Sequence, residues 1–234
     1  MKEKLQFCLD KISLIRSKLP KKKPHSEKYY KMIAFLNKYS LVFHFILACV
    51  LTFAIEVISR RDFLSTISFL HNHTLAYLYN AFIVFASLSI VYLFRCRAQL
   101  RVLISGLWLF LGTINGLILS NRVTPFSYTD LKCISDLFAM QNTNYFTAEE
   151  ATLVVGVVVA FFVFLGFFFA KGPKYQGKRH FVLGPVSIAA LLLVGLPITT
   201  QAAQGSNILA SYFSNIAQGY ADYGFVYGFS TSVV

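Results

Sequence analysis

The sequence predicts an all-α polytopic membrane protein with five transmembrane helices, the N-terminus inside and the C-terminus outside. Three observations carry this. Five apolar runs, residues 39–58, 75–94, 102–119, 151–170 and 181–199, each approach the roughly 20 residues an α-helix needs to cross a ~30 Å hydrocarbon core. Most of the 22 Lys and Arg collect on alternate connections: the N-terminal arm, the turn with Arg95, Arg97 and Arg101, and the turn with Lys171, Lys174, Lys178 and Arg179. Five crossings put these on one side, and basic connections mark the cytoplasmic face. Composition agrees, with 56% hydrophobic residues, 24 Phe and a mean hydropathy of +0.59, outside the usual range of water-soluble domains. A net charge of +12 would suit a nucleic acid. Here it lies beside membrane helices, where anionic inner-leaflet lipid is the nearer partner, so no nucleic-acid partner is expected.

Three regions follow in order: a basic cytoplasmic arm (1–38), a five-helix transmembrane domain (39–199) and an extracellular tail or linker (200–234). In the arm, Leu5, Leu9, Ile12, Ile15 and Leu19 recur at helical spacing, with Lys4, Lys11, Arg16 and Lys18 on the other faces. That pattern suits an amphipathic helix lying on the inner leaflet, ended by Pro20. Lys21, Lys22, Lys23 and Pro24 form a basic linker that signals topology. The arm lacks the short apolar region and cleavage site of a signal peptide, so the first span acts as an uncleaved anchor.

The first span carries Glu56 one helical turn before Arg60. The two can form an internal ion pair; alternatively Arg60, Arg61 and Arg122 form an outward-facing basic rim for an anionic lipid headgroup or polymer. His44, near the inner end, reads as a packing residue, and His71 and His73 as interfacial loop residues. An alternating histidine pair without Cys or carboxylate partners is a weak metal signal, so no metal site is assigned. The third span places Gly112, Gly116 and Ser120 at four-residue intervals on one face, a seam for close helix packing, and Asn115 beside it is expected to hydrogen-bond a neighbouring helix.

In the connection after the third span, Pro125 breaks the chain. Thr129 or Asp130 can cap a short surface helix whose apolar side is Leu131, Ile134, Leu137 and Phe138. Thr147 and Glu150 form a capping box for the fourth span, and Lys171, Gly172 and Pro173 stop it. In the fifth run, Gly195 and Pro197 predict a kink or early termination. Thr200, Ala202 and Ala203 have the small-residue pattern of a signal-peptidase site, though a polar exit from the membrane is the plainer reading. With Cys8 and Cys96 inside, Cys49 within a helix and only Cys133 outside, no disulfide framework is expected.

Three stretches then point to a family: Glu56-Val-Ile-Ser-Arg60, Arg122-Val-Thr-Pro-Phe-Ser-Tyr-Thr-Asp130 and Ala221-Asp-Tyr-Gly-Phe-Val-Tyr227. In this order and at these topological positions, the chain resembles the N-terminal membrane domain of lipoteichoic acid synthase-like phosphoglycerol transferases of the sulfatase and alkaline-phosphatase superfamily. The resemblance covers residues 39–234 and implies a bacterial cytoplasmic-membrane protein of cell-envelope glycerol phosphate polymer synthesis. It implies phosphatidylglycerol as a lipid partner and an extracellular sulfatase-like catalytic domain, in cis or in trans, holding a threonine nucleophile and manganese or another divalent metal. The chain itself supplies no compact ligand cluster: Asp62, Asp130, Asp136, Glu149, Glu150 and Asp222 are scattered. No catalytic residue and no cofactor are therefore expected within it, and its expected role is anchoring and guiding lipid. The competing reading is a non-catalytic polytopic protein that binds lipid or assists envelope assembly.

Overall fold

The computed structural model describes residues 27–94, 96–132, 148–171 and 183–232. The arm's amphipathic helix and linker, Cys8, Cys133, most of the surface helix after Asp130, Thr147 of the capping box and the Gly172–Arg179 stop and basic turn lie outside these residues. The chain divides into two compact units, residues 1–41 and 42–234. In the first, helix α1 (Glu27–Lys38) carries an exposed Lys31–Glu27 ion pair at 2.7 Å, and Phe35 packs on Tyr39 at 4.9 Å between ring centroids.

Among the described residues of the second unit, every regular element is a helix. Helix α2 is Ser40–Arg60, α3 Phe63–Asn72, α4 Thr74–Ser89 with a 3-10 turn Ile90–Leu93, and α5 Arg97–Asn121. Next come α6 (Tyr128–Lys132), α7 (Ala148–Lys171) and α8 (Leu183–Ala190), which runs through a π turn, Leu191–Gly195, into α9 (Leu196–Gly205). Two short helices, α10 (Ile216–Tyr223) and α11 (Phe225–Thr231), close the described chain.

Among the described residues, four helices are long and apolar enough to cross a membrane: Ser40–Arg60, Thr74–Leu93, Arg97–Ser120 and Gly184–Gly205. The expected fourth run appears as the 24-residue helix α7. α4 is the central element, half of its window being buried, against a sixth or less for α5 and the last span. Trp108 of α5 donates to Ser87 Oγ of α4 at 3.0 Å, and Tyr77 of α4 donates to Cys49 O of α2 at 2.8 Å.

The small-residue row on α5 is a close approach to α2. A Cβ at Gly112 would meet Ile55 Cγ2 at 3.2 Å, and one at Gly116 would meet the backbone Ile58 O at 2.5 Å. Ser120 is exposed, its hydroxyl donating to Leu117 O. A side-chain tip can give way but a packed carbonyl cannot, so Gly116→Leu should cost at the upper end of the ~1–3 kcal/mol typical of overpacking. Thermal-shift measurement on the purified protein should show a clear loss for Gly116→Leu and a smaller one for Gly112→Ala. Equal behaviour of the two would contradict this packing.

Structure and expectation part company at three places. The fifth run does not terminate at Pro197: the helix continues to Gly205 because the π turn absorbs the proline. Leu196 N bonds to Leu191 O, five residues back, and this widened turn eases the clash that a proline ring makes with the carbonyl four residues before it. The loop expected around His71 is instead helix α3, nucleated by Asp62, whose carboxylate accepts from Leu64 N at 3.0 Å and Ser65 N at 3.2 Å. Part of residues 206–232, read as a tail, packs back as core: Leu209 is buried, and Phe225, Val226 and Tyr227 are at most 1% exposed.

Candidate functional site at the Arg60 end of the bundle

The C-terminal ends of α2, α5 and α9 and the N-terminal end of α4 meet the segment 206–232, and buried polar side chains make the junction. α11 begins after Gly224, a sharp break with φ +88° and ψ 161°. A helix start leaves backbone N–H groups without intrahelical partners, and here two of the long apolar helices provide acceptors. Glu56 Oε1 accepts from Phe225 N at 2.7 Å, and Asn80 Oδ1 accepts from Tyr227 N at 2.6 Å. Both side chains are at most 1% exposed. The Asn80 amide also donates to Ala76 O and Tyr223 O, each at 2.7 Å, so it bridges both sides of the break.

Arg60 completes the arrangement. Its Nε donates to Glu56 Oε2 at 2.8 Å, and its Nη2 to Ala221 O at 2.8 Å and Tyr220 O at 3.4 Å, while the guanidinium lies 4.2 Å from the Phe69 ring centroid. The carboxylate thus faces the positive start of α11 and the guanidinium the negative end of α10, the favourable sense for both helix dipoles. Each ion has its charge partner and additional hydrogen bonds, the condition under which a buried pair is tolerated.

The loop after α5 joins the same cluster through Asn115, which is 1% exposed. Asn115 donates to Ser59 Oγ of α2 and accepts from Phe126 N of the loop, both at 2.7 Å. Phe126 stacks on Phe229 at 5.7 Å, its carbonyl accepts from the Tyr220 hydroxyl at 3.1 Å, and Ser232 Oγ accepts from Tyr128 N at 2.9 Å. Burial pushes the Tyr220 hydroxyl up to about 12, a hydrogen bond with Ser232 opposing the shift, so it remains a neutral donor at physiological pH. Tyr227 extends the junction to the last span: its hydroxyl donates to Ala210 O at 2.7 Å and accepts from Gln204 at 3.0 Å. Thr200 and Tyr79 share a hydroxyl–hydroxyl bond nearby.

Arg122 folds its own loop. It donates to Thr124 O at 2.9 Å and Pro125 O at 3.2 Å, and pairs with Asp130 at 2.7 Å. Asp130 also accepts from Ser127 N at 2.8 Å, the reciprocal half of a capping box in which Ser127 precedes the helix. α6 therefore starts at Tyr128, ahead of the expected Thr129 or Asp130 cap. Partial burial of Asp130 disfavours its charge, but hydrogen bonds from Arg122 and Ser127 and the guanidinium's own charge outweigh that and hold the carboxyl below its ordinary 3.8. A depressed carboxyl contributes stability above its unfolded value and loses it as pH falls through the folded one. Hydrogen exchange at residues 122–132 should accordingly be insensitive to this group above about pH 5, and protection should drop below pH 4. Asp130→Asn should remove that drop, and persistence of the drop in the variant would assign it elsewhere.

Of the three arginines of the expected rim, Arg60 is turned inward, its side chain 15% exposed. Arg122 is 41% exposed at its side chain and ion-paired. Arg61 is exposed and holds a positive φ of 54°. Among the described residues, no group of three or more His, Cys, Asp or Glu is placed to hold a metal ion. Asn80 went unnoticed in the sequence, although an amide inside an apolar run is costly unless bonded and marks an internal contact. No known protein family, curated protein or solved structure matches the chain.

Proposed function

We propose that the chain is the membrane domain of a lipoteichoic acid synthase-like phosphoglycerol transferase, anchoring an extracellular sulfatase-like catalytic domain and presenting lipid to it. In this reading α7 is a fifth span alongside the four others, the arm is cytoplasmic and the Arg60 end is extracellular. One observation carries it. The three stretches that resemble the family, far apart in sequence, interlock at one end of the bundle: Glu56 and Arg60 hold the break between Ala221 and Phe225, and the Phe126 carbonyl accepts from Tyr220, next to that third stretch. Random short matches would have no reason to converge. The residue they jointly fix, Gly224, lies between α10 and the buried α11, so the segment after the last span is held against the bundle.

No bond-making step is assigned to this chain. Metal-dependent phosphoglycerol transfer needs convergent ligands and a nucleophile, and these belong to the catalytic part. Arg61 and Arg122, both exposed at the Arg60 end, are the side chains positioned to meet lipid phosphate or polymer there. The test is a domain exchange: residues 1–234 replace the membrane part of an active phosphoglycerol transferase, and polymer synthesis is measured in cells lacking that enzyme. Restored polymer is the expected result, with Arg61→Gln/Arg122→Gln lowering synthesis more than abundance. Stable, inserted protein that makes no polymer would overturn the proposal.

A further inference from the structure

We propose that α3 is an in-plane membrane anchor: its Phe63, Leu64 and Ile67 side inserts among the acyl chains of the leaflet at the Arg60 end, opposite the Arg97 end where α5 starts. This rests on the membrane reading above. At 10 residues, α3 is about 15 Å long, half of what crossing the hydrocarbon core requires. It joins the end of α2 to the start of α4, and those two helices run antiparallel, Tyr77 reaching Cys49 and His44 reaching Phe85. Both ends of α3 are therefore at one end of the bundle, and the helix runs along that end.

The three sides of α3 differ. Thr66 and Phe69 are buried against the junction, the Phe69 ring lying under the Arg60 guanidinium and edge-on to Tyr77 at 6.5 Å. Ser68 and Asn72 are exposed on a second side, where the Asn72 amide donates to Ser68 Oγ at 3.1 Å. On the third, Phe63, Leu64 and Ile67 are 54%, 75% and 43% exposed. The first side fastens the helix. The split between the other two is the partition of a helix at a membrane surface, one side in the acyl boundary and one toward water. Exposed His71 ends the apolar side, and its amphipathic ring suits headgroup level.

Depth is the independent observation. Phe63 packs edge-on against Phe53 of α2, with ring centroids 5.9 Å apart. Phe53 precedes Arg60 by about two helical turns, or about 10 Å along the axis, so the apolar side of α3 reaches below the end of the first span. Its surface is thereby continuous with a helix whose outward side chains, exposed Val50 among them, face lipid in the membrane reading. That continuity selects acyl chains as the occupant over a second protein surface. Arg61, exposed at the turn between α2 and α3, then lies at the depth of phospholipid phosphates. The neighbouring Asp62 carboxylate is committed to the first N–H groups of α3.

The experiment places a nitroxide on single-cysteine variants of the full chain, its four native cysteines replaced by serine, in nanodiscs of phosphatidylcholine and phosphatidylglycerol. It reads collision with oxygen, which concentrates among acyl chains, against collision with a water-soluble nickel chelate. Leu64→Cys and Ile67→Cys should favour oxygen, as should Val50→Cys in the first span, whereas Ser68→Cys and Asn72→Cys should favour the chelate. Chelate access at Leu64 and Ile67, with Val50 in lipid, would put α3 in water and overturn the proposal. Low access to both reagents at Leu64 and Ile67 would mean that a protein surface covers them, and would overturn the lipid assignment. Chelate access at Val50 as well would instead remove the membrane reading. If the cysteine-free background fails to fold, the unsubstituted chain decides: phosphatidylcholine with a diazirine high on its acyl chain should crosslink to Phe63, Leu64 or Ile67, and crosslinks confined to other segments would contradict the proposal.

Discussion

Glu56→Ala should be among the most damaging single substitutions in the bundle, costing about 3–5 kcal/mol. Removing the carboxylate leaves Arg60 as a nearly buried charge without its partner and leaves Phe225 N without an acceptor. The effect should concentrate at the Arg60 end, with the amides of residues 225–229 losing hydrogen-exchange protection before those of α4. Glu56→Leu/Arg60→Met makes the sharper comparison. Matched apolar replacement of a simple buried pair is often neutral, but here it also strands Phe225 N and Ala221 O, at roughly 1–3 kcal/mol each. The double variant should therefore fall between wild type and Glu56→Ala. Full recovery in the double variant would mean that the pair serves only itself and does not clamp the break between Ala221 and Phe225.

Gly224→Ala should rival it. With φ +88° and ψ 161°, Gly224 lies in a backbone region open essentially to glycine alone, where another residue costs about 1–3 kcal/mol. A Cβ would in addition stand 2.8 Å from Glu56 Oε1 and 2.9 Å from Asn80 Nδ2, prying apart the two side chains that hold α11. The loss should reach about 3 kcal/mol or more, read as a lowered melting temperature and exposed protease sites in residues 216–232. Gly205→Ala is the matched control: nothing lies within 4 Å of its Cβ position, so its effect should stay within about 0.5 kcal/mol.

What the sequence showed and what it concealed have physical reasons. Four of the long helices were legible because continuous apolar runs have few alternatives in membrane or core, and the spacing of Gly112 and Gly116 showed a close approach before its partner was known. The Glu56–Arg60 spacing suggested contact along one helix, but the more important bonds, to Phe225 and Ala221, join residues more than 160 positions apart and leave no local signature. α10 and α11 were read as tail because each is too short for a periodic pattern; their order comes from capping by Asn215 within the segment and by Glu56 and Asn80 from outside it. The caps Asp62 and Ser127 were passed over, Thr129 or Asp130 being expected in place of Ser127, although Asp62 directly precedes Phe63 and Leu64 and Ser127 stands three residues before Asp130. Of the two outcomes expected at Gly195 and Pro197, a kink or early termination, termination does not occur, since a π turn carries the helix past the proline.

Which way the bundle faces decides whether the Arg60 end can meet an extracellular domain, and one labelling measurement addresses that directly. Cys96 lies at the Arg97 end, and Val123, 82% exposed, lies in the loop at the Arg60 end. In intact cells, or spheroplasts where a wall blocks access, a membrane-impermeant maleimide should label a variant whose sole cysteine is Val123→Cys. A variant retaining only Cys96 should react with it only after permeabilisation. Labelling of Cys96 from outside, with Val123→Cys reached only after permeabilisation, would turn the clamp toward the cytoplasm and contradict the proposal that it presents an extracellular transferase domain.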